Sequence, residues 1–496
     1  MNNLPVEIIC HILNYLENGI DVFNFSLSCK HNRNIVNNNK EIFNCVSKLD
    51  IKYINEKSII FGKLKINTDK SITDLSILQN IYLKNVIEIN LSHCNELTDV
   101  NILVNIKKIN LSHCYSLTDL SKLVNVKKLN LTHCKSIKDV SMLGNCVELN
   151  LSNCINIIDV SMLGNIEKLN LSHCINITDF SSLGNVKELN LSYCNILDVS
   201  MLGNVKKLNL TSCIYVTDVS MLGNCEELNL SHCDIIDVSM LGKVKKLNLS
   251  NCGITDVSML GNCEELNLFN CIEVTDVSSL GKVKKLNLSR CNRISDLSMI
   301  CDVIELNIYG CYDVIDLSSL SKVKKLDLTD CYKITDVSML GKIEDLNLSR
   351  CNRITDVSML GKVKKLNLTG CQCITDVSML GDVEELNLFG CINILDVSSL
   401  GKVKKLDLSY CNIIDVSMLV DVEELNLTKC HYVTDVSKLG NVKKLNLSCC
   451  ENIVDVSMLG NCIELNLMYC NGITNVSMLG NVKVLHLYGC KNIKIW

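Results

Sequence analysis

A hexapeptide pattern, L-x-L-x-x-C, returns through most of this chain at a spacing that barely varies. Its cysteine falls at Cys94, Cys114, Cys134, Cys154, Cys174, Cys194, Cys213, Cys233, Cys252 and Cys271, and continues in step to Cys490. These are 21 of the 31 cysteines, separated by 20 residues or, four times, by 19. Self-similarity at such a period marks a stacked-repeat architecture, in which one unit cannot bury its own apolar side and needs its neighbours. Length therefore does not set the domain count, although 496 residues would otherwise suggest about three domains of ~150 residues.

A full unit, from Val205, reads VKKLNLTSCIYVTDVSMLGN, with Val205, Leu208, Leu210, Cys213, Val216, Val219 and Leu222 as its apolar set. The L-x-L core predicts a short strand with two inward side chains. Thr217-Asp218 is expected to turn the chain, with Ser220 capping a single helical or 3-10 turn. Gly223 is expected to end that turn in a left-handed conformation. Stacked units then form a continuous parallel sheet. Units one residue short, such as the one opening Cys194-Asn195-Ile196-Leu197-Asp198, lose the residue between Cys and Asp, where a shorter turn is tolerated and a slipped strand is not. The recurrent cysteine is small and weakly polar, suited to an inner corner where it can donate to neighbouring backbone. No C-x-x-C pair occurs, so a zinc finger is not indicated.

The x of L-x-L is nearly always Asn (Asn90, Asn110, Asn130, Asn150, Asn209), with Asp327, Asp407 and His486 as exceptions. Stacked Asn side chains are expected to hydrogen-bond along the ladder. The two residues before the first Leu alternate in charge from unit to unit, as in Lys206-Lys207, Glu226-Glu227, Lys245-Lys246 and Glu264-Glu265. Opposite charges then meet on adjacent strands, each pair contributing ~0.2–1 kcal/mol, and the face neutralises itself. The residues just before each cysteine vary most. His93, His113, His133, His173 and His232 share that register, and Phe269, Tyr309, Phe389, Tyr469 and Tyr488 bring aromatic rings to it. Shared descent of duplicated units accounts for the histidines, while exposed aromatic anchors suit protein binding.

The 49 basic and 54 acidic residues leave a net charge of -5, without the basic excess of nucleic-acid binders. No run of ~18 apolar residues suggests a membrane span. The opening MNNLPVEIICHILNYL lacks a basic start and carries Glu7 within its apolar run, unlike a signal peptide. The repeated N-L-S and N-L-T sequons would crowd glycans on neighbouring strands, which argues against secretion. An intracellular, cytoplasmic location with reduced thiols is expected. Neither a glycine-rich phosphate loop nor HExxH is present, and no Ser, His or carboxylate cluster stands outside the repeat register; the chain reads as a non-enzyme with no cofactor and no metal.

The unit resembles the leucine-rich repeat, of the cysteine-containing type, and its DVSML segment is similar to the short turn of internalin-like repeats. The resemblance implies an α/β solenoid: a right-handed superhelix with a continuous parallel β-sheet over 64–496, in about 22 repeats. Leu64-Lys65-Ile66 followed by Ile72-Thr73-Asp74-Leu75 looks like a degenerate first unit. Substrate-binding candidates on the concave face are His93, His113, His133, Tyr193, Phe269, Arg290, Tyr309, Arg350, Phe389, Tyr410, Tyr469 and Tyr488.

Residues 1–46 do not follow the repeat. Pro5 suits a first helical turn, and Ile8, Ile9, Ile12, Leu13 and Leu16 recur at helical spacing. LPVEIICHILNYL followed by FSLSCKHNRNIVNNNKEIF resembles the F-box, although Asn34 and Phe43 stand near the places of two tryptophans common in that family. The resemblance implies a small all-α domain whose Leu4, Pro5, Ile8, Ile9, Ile12 and Leu13 grip a Skp-type adaptor, and through it a cullin ubiquitin ligase. The repeats would then hold an unknown protein substrate, with nucleic acid and membrane not expected as partners. Residues 47–63 read as a junction. The rival reading is a repeat scaffold without a ubiquitin role, its front segment a plain cap. The chain has no alanine, and Asn, Ile, Lys and Leu fill the space instead; that bias reads as an AT-rich genome, which with this architecture suits a giant amoebal virus or an amoeba as source.

Overall fold

The computed structural model describes residues 86–493 together with two short strands at Leu49–Asp50 and Leu64–Asn67. The chain divides into two compact units, Met1–Ile235 and Ile236–Trp496. In the first, β1 (Leu49–Asp50), β2 (Leu64–Asn67), β3 (Val86–Asn90), β4 (Lys108–Asn110), β5 (Lys128–Asn130) and β6 (Glu148–Asn150) are followed by β7 (Lys168–Asn170), β8 (Glu188–Asn190), β9 (Lys207–Asn209) and β10 (Glu227–Asn229). Each pairs in parallel with the next. β1 lies inside the segment read as a junction, so a parallel strand precedes the first degenerate unit. β2 meets β3 with a register shift between Leu64 and Lys65, which fits that unit's departure from the consensus.

In the second unit a ladder of the same kind runs from β11 (Lys246–Asn248) through β12 (Glu265–Asn267), β13 (Lys285–Asn287), β14 (Glu305–Asn307), β15 (Lys325–Asp327), β16 (Asp345–Asn347) and β17 (Lys365–Asn367). It continues with β18 (Glu385–Asn387), β19 (Lys405–Asp407), β20 (Glu424–Asn426), β21 (Lys444–Asn446), β22 (Glu464–Asn466) and β23 (Val484–His486). All pairings are parallel and keep Leu opposite Leu, as in Leu346↔Leu366 and Leu366↔Leu386. Both halves are thus solenoids of stacked repeats.

The apolar register explains this arrangement. In the unit around β17, Leu366, Leu368, Cys371, Ile374, Val377 and Leu380 are all buried. Each such side chain gains ~1.5–3 kcal/mol only if both neighbouring rungs cover it, so the units stack in order. The 19-residue units keep the same pairing, with Leu189↔Leu208, Leu247↔Leu266 and Leu406↔Leu425. Their missing residue removes one turn after the cysteine and leaves the strand untouched.

The turn differs in its chemistry from the sequence expectation. The 3-10 turn Ser220–Asn224 exists, but Val219 precedes it without a side-chain cap. Asp218 closes it instead: its Oδ1 accepts the Ser220 backbone N–H at 2.9 Å. An aspartate bonding the backbone two residues on is an Asx turn, and the same bond recurs at Asp139, Asp159, Asp336 and Asp356. Gly223 lies within that 3-10 turn and is not left-handed. Where this position is glycine it permits a close approach between rungs, although Val104, Val124, Cys301, Ser321 and Val420 stand there in other units. A Cβ built at Gly203 would stand 2.7 Å from the Met221 carbonyl oxygen of the next rung, a separation at which something must shift.

The left-handed conformation occurs one position before each cysteine. His93, His113, His133, Tyr193, Arg290, Arg350, Tyr410 and Tyr469 have φ between 60° and 65°, and Gly310, Gly370 and Gly390 fill the same place at 69–70°. The chain leaves the strand there and enters the cysteine corner, while the backbone N–H still donates to the next rung, as Arg350 N does to Thr369 O at 2.8 Å. Asn, Asp and His tolerate this region better than other side chains. That preference gives the histidine register a backbone reason.

Candidate functional site

The cysteine corner is structural. Cys351 Sγ donates to Leu328 O at 3.1 Å, and Cys134 Sγ to Leu111 O at 3.0 Å, each bond reaching back to the previous rung. Burial pushes the Cys134 thiol up to about 11 and that of Cys351 up to about 12, so these groups stay protonated and are poor nucleophiles and metal ligands. Among the described residues no group of three or more His, Cys, Asp or Glu is placed to hold a metal ion. No helix among them is long and apolar enough to cross a membrane.

The exposed strand face carries charge and amide. Lys and Glu of adjacent rungs pair across it: Lys128–Glu148 at 2.6 Å, Lys168–Glu188 at 3.0 Å, Lys365–Glu385 at 3.1 Å and Lys444–Glu424 at 3.2 Å. The outer column pairs likewise, with Lys187–Glu167 at 2.8 Å and Lys443–Glu423 at 2.9 Å. All are solvent-exposed, and each contributes at most ~1 kcal/mol. The Asn residues do not chiefly bond along the ladder. Asn367 Oδ1 accepts the Thr369 backbone N–H at 3.0 Å, and Asn130 Oδ1 that of Thr132 at 3.0 Å. Each Asn thus closes the turn leaving its own strand; bonds along the ladder are occasional, such as Asn426 Nδ2 to Asp407 Oδ2 at 3.0 Å. In the second unit this face borders an open cavity of about 550 Å³ lined by Lys365, Asn367, Glu385, Asn387, Lys405 and Asp407 among others. The charge alternation announced the ion pairs in sequence, but pairing alone does not reveal a concavity.

None of the twelve substrate-binding candidates lies on a strand; all sit in the turn immediately beyond it. His93, His113 and His133 stack ring on ring at 4.4 and 4.6 Å between centroids. His113 Nδ1 lies 3.1 Å from the Tyr115 hydroxyl, and its pKa is lowered by burial and then by the charges of His93 and His133. Tyr193 stacks on His173 at 4.3 Å. In the second unit Arg290 lies over the rings of Phe269 and Tyr309, at 5.7 and 5.4 Å, and donates to the Tyr309 hydroxyl at 3.3 Å. Arg350 approaches Asp330 at 3.8 Å. Phe389 packs against Tyr410 at 4.9 Å, and Tyr469 meets Tyr488 edge-on at 5.6 Å. The structure therefore gathers the candidates into neighbouring rows along the sheet edge within each unit. Leu4, Pro5, Ile8, Ile9, Ile12 and Leu13 lie outside the described residues.

Comparison with known proteins agrees with the residue pattern. The F-box domain model matches residues 1–44 and the leucine-rich repeat model residues 243–260. No curated protein matches the chain. Among solved structures, the chain is similar to an internalin, InlF, of Listeria monocytogenes, at 23% identity over 54% of this chain and 83% of that one, with a TM-score of 0.40. It is also similar to the functional domain of InlJ from the same organism, described as including a cysteine ladder, at 21% identity over 71% and 79%, with a TM-score of 0.41. A leucine-rich-repeat protein of Leptospira interrogans matches at 19% identity over 80% and 99%, with a TM-score of 0.42. Residues 1–44 are an F-box domain, and the stacked units that follow are leucine-rich repeats.

Proposed function

We propose that the chain is the substrate-recognition subunit of a Skp–cullin–F-box-type ubiquitin ligase and is itself non-catalytic. The observation that carries this reading is the F-box match at residues 1–44 in one chain with a long array of repeats. An F-box and leucine-rich repeats together indicate a protein-interaction role. The further step is that Leu4, Pro5, Ile8, Ile9, Ile12 and Leu13 hold a Skp-type adaptor while the turn rows of the repeats hold a protein substrate. Tethering both raises the effective concentration of substrate beside the ubiquitin-loaded enzyme, so no reacting group is needed here.

Co-purification of the full chain with a Skp-type adaptor tests the reading. Capture by wild type, lost in the Ile9→Asp, Leu13→Asp double variant, supports it. If wild type captures no adaptor, the ligase role is wrong, and a scaffold built on the same repeats is what remains.

A further inference from the structure

Lysine supplies nearly every cation of this chain. Only five residues are arginine, and four of them fall in two copies of one motif, S-R-C-N-R, at 289–293 and 349–353. The two copies sit on the β13 and β16 rungs, three steps apart in the ladder. We propose that Arg290, Arg350 and Arg353, with the Tyr309 ring between, form a docking edge for an extended acidic segment of a partner protein.

Charge accounting at this edge supports an acidic occupant. In the position before the cysteine and the position two after it, the rungs from β12 to β17 present Arg290, Arg293, Lys333, Arg350 and Arg353 against Glu273, Asp313 and Asp330. Each carboxylate already has a cation: Glu273 pairs with Arg293 at 2.6 Å, Asp313 with Lys333 at 2.6 Å, and Asp330 with Arg350 at 3.8 Å. Asp330 is buried and also accepts from the Tyr332 hydroxyl at 3.0 Å. The next carboxylates along the chain, Asp296 and Asp356, are bonded to the backbone N–H groups of Ser298 and Ser358. These two columns thus carry five cations against three carboxylates, within a chain of net charge -5, while the aspartates beyond them keep their charge and face their own turns.

The arginines are also held in place. The rung after each offers glycine in the left-handed position, Gly310 after Arg290 and Gly370 after Arg350. The Arg290 and Arg350 stems lie over these glycines, with Cγ 3.6 and 3.5 Å from where a Cβ would stand. Arg290 is additionally stacked on two rings. A pre-positioned guanidinium loses little freedom on binding and takes a carboxylate through two parallel N–H bonds. Lysine, which the composition otherwise favours, offers no such fork.

Geometry sets the spacing of the occupant. Three rungs at ~4.8 Å separate Arg290 from Arg350 by roughly 14 Å, which an extended chain rising ~3.4 Å per residue covers in about four residues. The segment expected is therefore Asp/Glu-x-x-x-Asp/Glu, running along the sheet edge. This inference rests on the repeats being the substrate-binding arm. Its test uses synthetic peptides alone, so it is independent of whether the adaptor binds.

The experiment is fluorescence anisotropy of the full chain with labelled Gly/Ser 12-residue peptides carrying two glutamates at separations of two to eight residues. The expected result is tightest binding at a separation of four, weakened by salt, and a loss of roughly tenfold or more in the Arg290→Gln, Arg350→Gln double variant. The Arg290→Lys, Arg350→Lys variant should lose most of the same affinity despite keeping its charge. Arg353→Gln, at an exposed site without an ion pair, gives a second reading if the double variant misfolds, and should also weaken binding. No spacing preference, or affinity unchanged in these variants, overturns the proposal. So does binding of a single-stranded oligonucleotide with no response to the acidic peptides.

Discussion

Three glycines separate the two reasons for using glycine in this fold, and replacing each by alanine tests them independently. A Cβ at Gly361 would fall inside the envelope of the Met379 carbonyl oxygen on the next rung, in backbone that is otherwise ordinary, φ -61°. Gly390 has the opposite character: φ is +69° and nothing lies within 4 Å. Gly253 has neither constraint, with open space around it and no positive φ. Forcing two packed backbones apart costs ~1–3 kcal/mol, a left-handed alanine ~1–2 kcal/mol, and an unconstrained Gly→Ala gains ~0.4–1 kcal/mol through the unfolded chain. Long repeat arrays do not unfold as one unit, so the effect should be read locally, by hydrogen exchange followed by mass spectrometry over each rung. The amides to watch after Gly361→Ala are Leu360 N, bonded to Val357 O, and Val363 N, bonded to Leu360 O. At ~1.4 kcal/mol per factor of ten, they should exchange roughly 5- to 150-fold faster. Gly253→Ala should leave its rung equal or slower. If Gly361→Ala leaves exchange unchanged, or Gly253→Ala harms its rung as much, then the close approach between rungs is not what the glycine serves.

Leu348→Asp should open its rung and the two beside it, because Leu348 is fully buried and an unpaired buried charge costs several kcal/mol; exchange in 328–371 should accelerate while distant rungs stay protected. Acid should destabilise the repeats in a graded way. The Asp218, Asp336 and Asp356 carboxyls are held below their usual range, chiefly by the serine backbone N–H each accepts. Their contribution is present above the unfolded carboxylate pKa near ~3.9 and is lost as pH falls through the lower folded values. Rung-by-rung hydrogen exchange from pH 6 to 2, corrected for the intrinsic rate, should show this, with Asp356→Asn weakening the dependence at its rung. Alkali acts through the ladder thiols, which burial raises from an ordinary 9.0, Cys134 to about 11 and Cys351 to about 12. Their stabilisation is intact below pH 9 and fades as pH rises toward those values, because the unfolded chain releases its thiol protons first. Iodoacetamide at mildly alkaline pH should accordingly label exposed Cys301 and Cys373 quickly and Cys134 or Cys351 slowly; uniform labelling would contradict the buried corner.

The stacking was legible because burial imposes it on every rung. Leu366, Leu368 and Cys371 could be assigned inward from spacing alone, and the 19-residue units could be seen to keep their strand. What escaped were local hydrogen-bond choices among residues that each have several options. Ser220 and Asp218 are both turn formers, and only backbone geometry shows that the aspartate accepts and the serine N–H donates. Gly223 at the end of a short turn suggests a left-handed cap, yet it lies within the 3-10 turn, and equivalent glycines such as Gly203 and Gly361 bring their backbone close to the next rung, a distance invisible in one unit's sequence. Asn at the centre of L-x-L suggested a ladder, but it is the last residue of its strand, and the departing turn proved the nearer partner. The residues before each cysteine vary among units, yet the position adjoining it shares one left-handed backbone conformation; they decorate the turn beyond the strand, and the charged strand-face cavity around Lys365, Glu385 and Lys405 was not anticipated.

The account depends most on each unit of about twenty residues lying directly beside the next in parallel register. Zero-length carbodiimide cross-linking of the native full chain, read by mass spectrometry, measures this directly, since Lys and Glu of adjacent rungs approach to 2.6 Å at Lys128–Glu148 and 3.1 Å at Lys365–Glu385. The predicted result is that lysine–carboxylate links concentrate at sequence separations of 19 and 20, including Lys246–Glu265 and Lys405–Glu385, and vanish on denaturation. Links scattered over unrelated separations, or confined to neighbours in sequence, would contradict the stacked ladder.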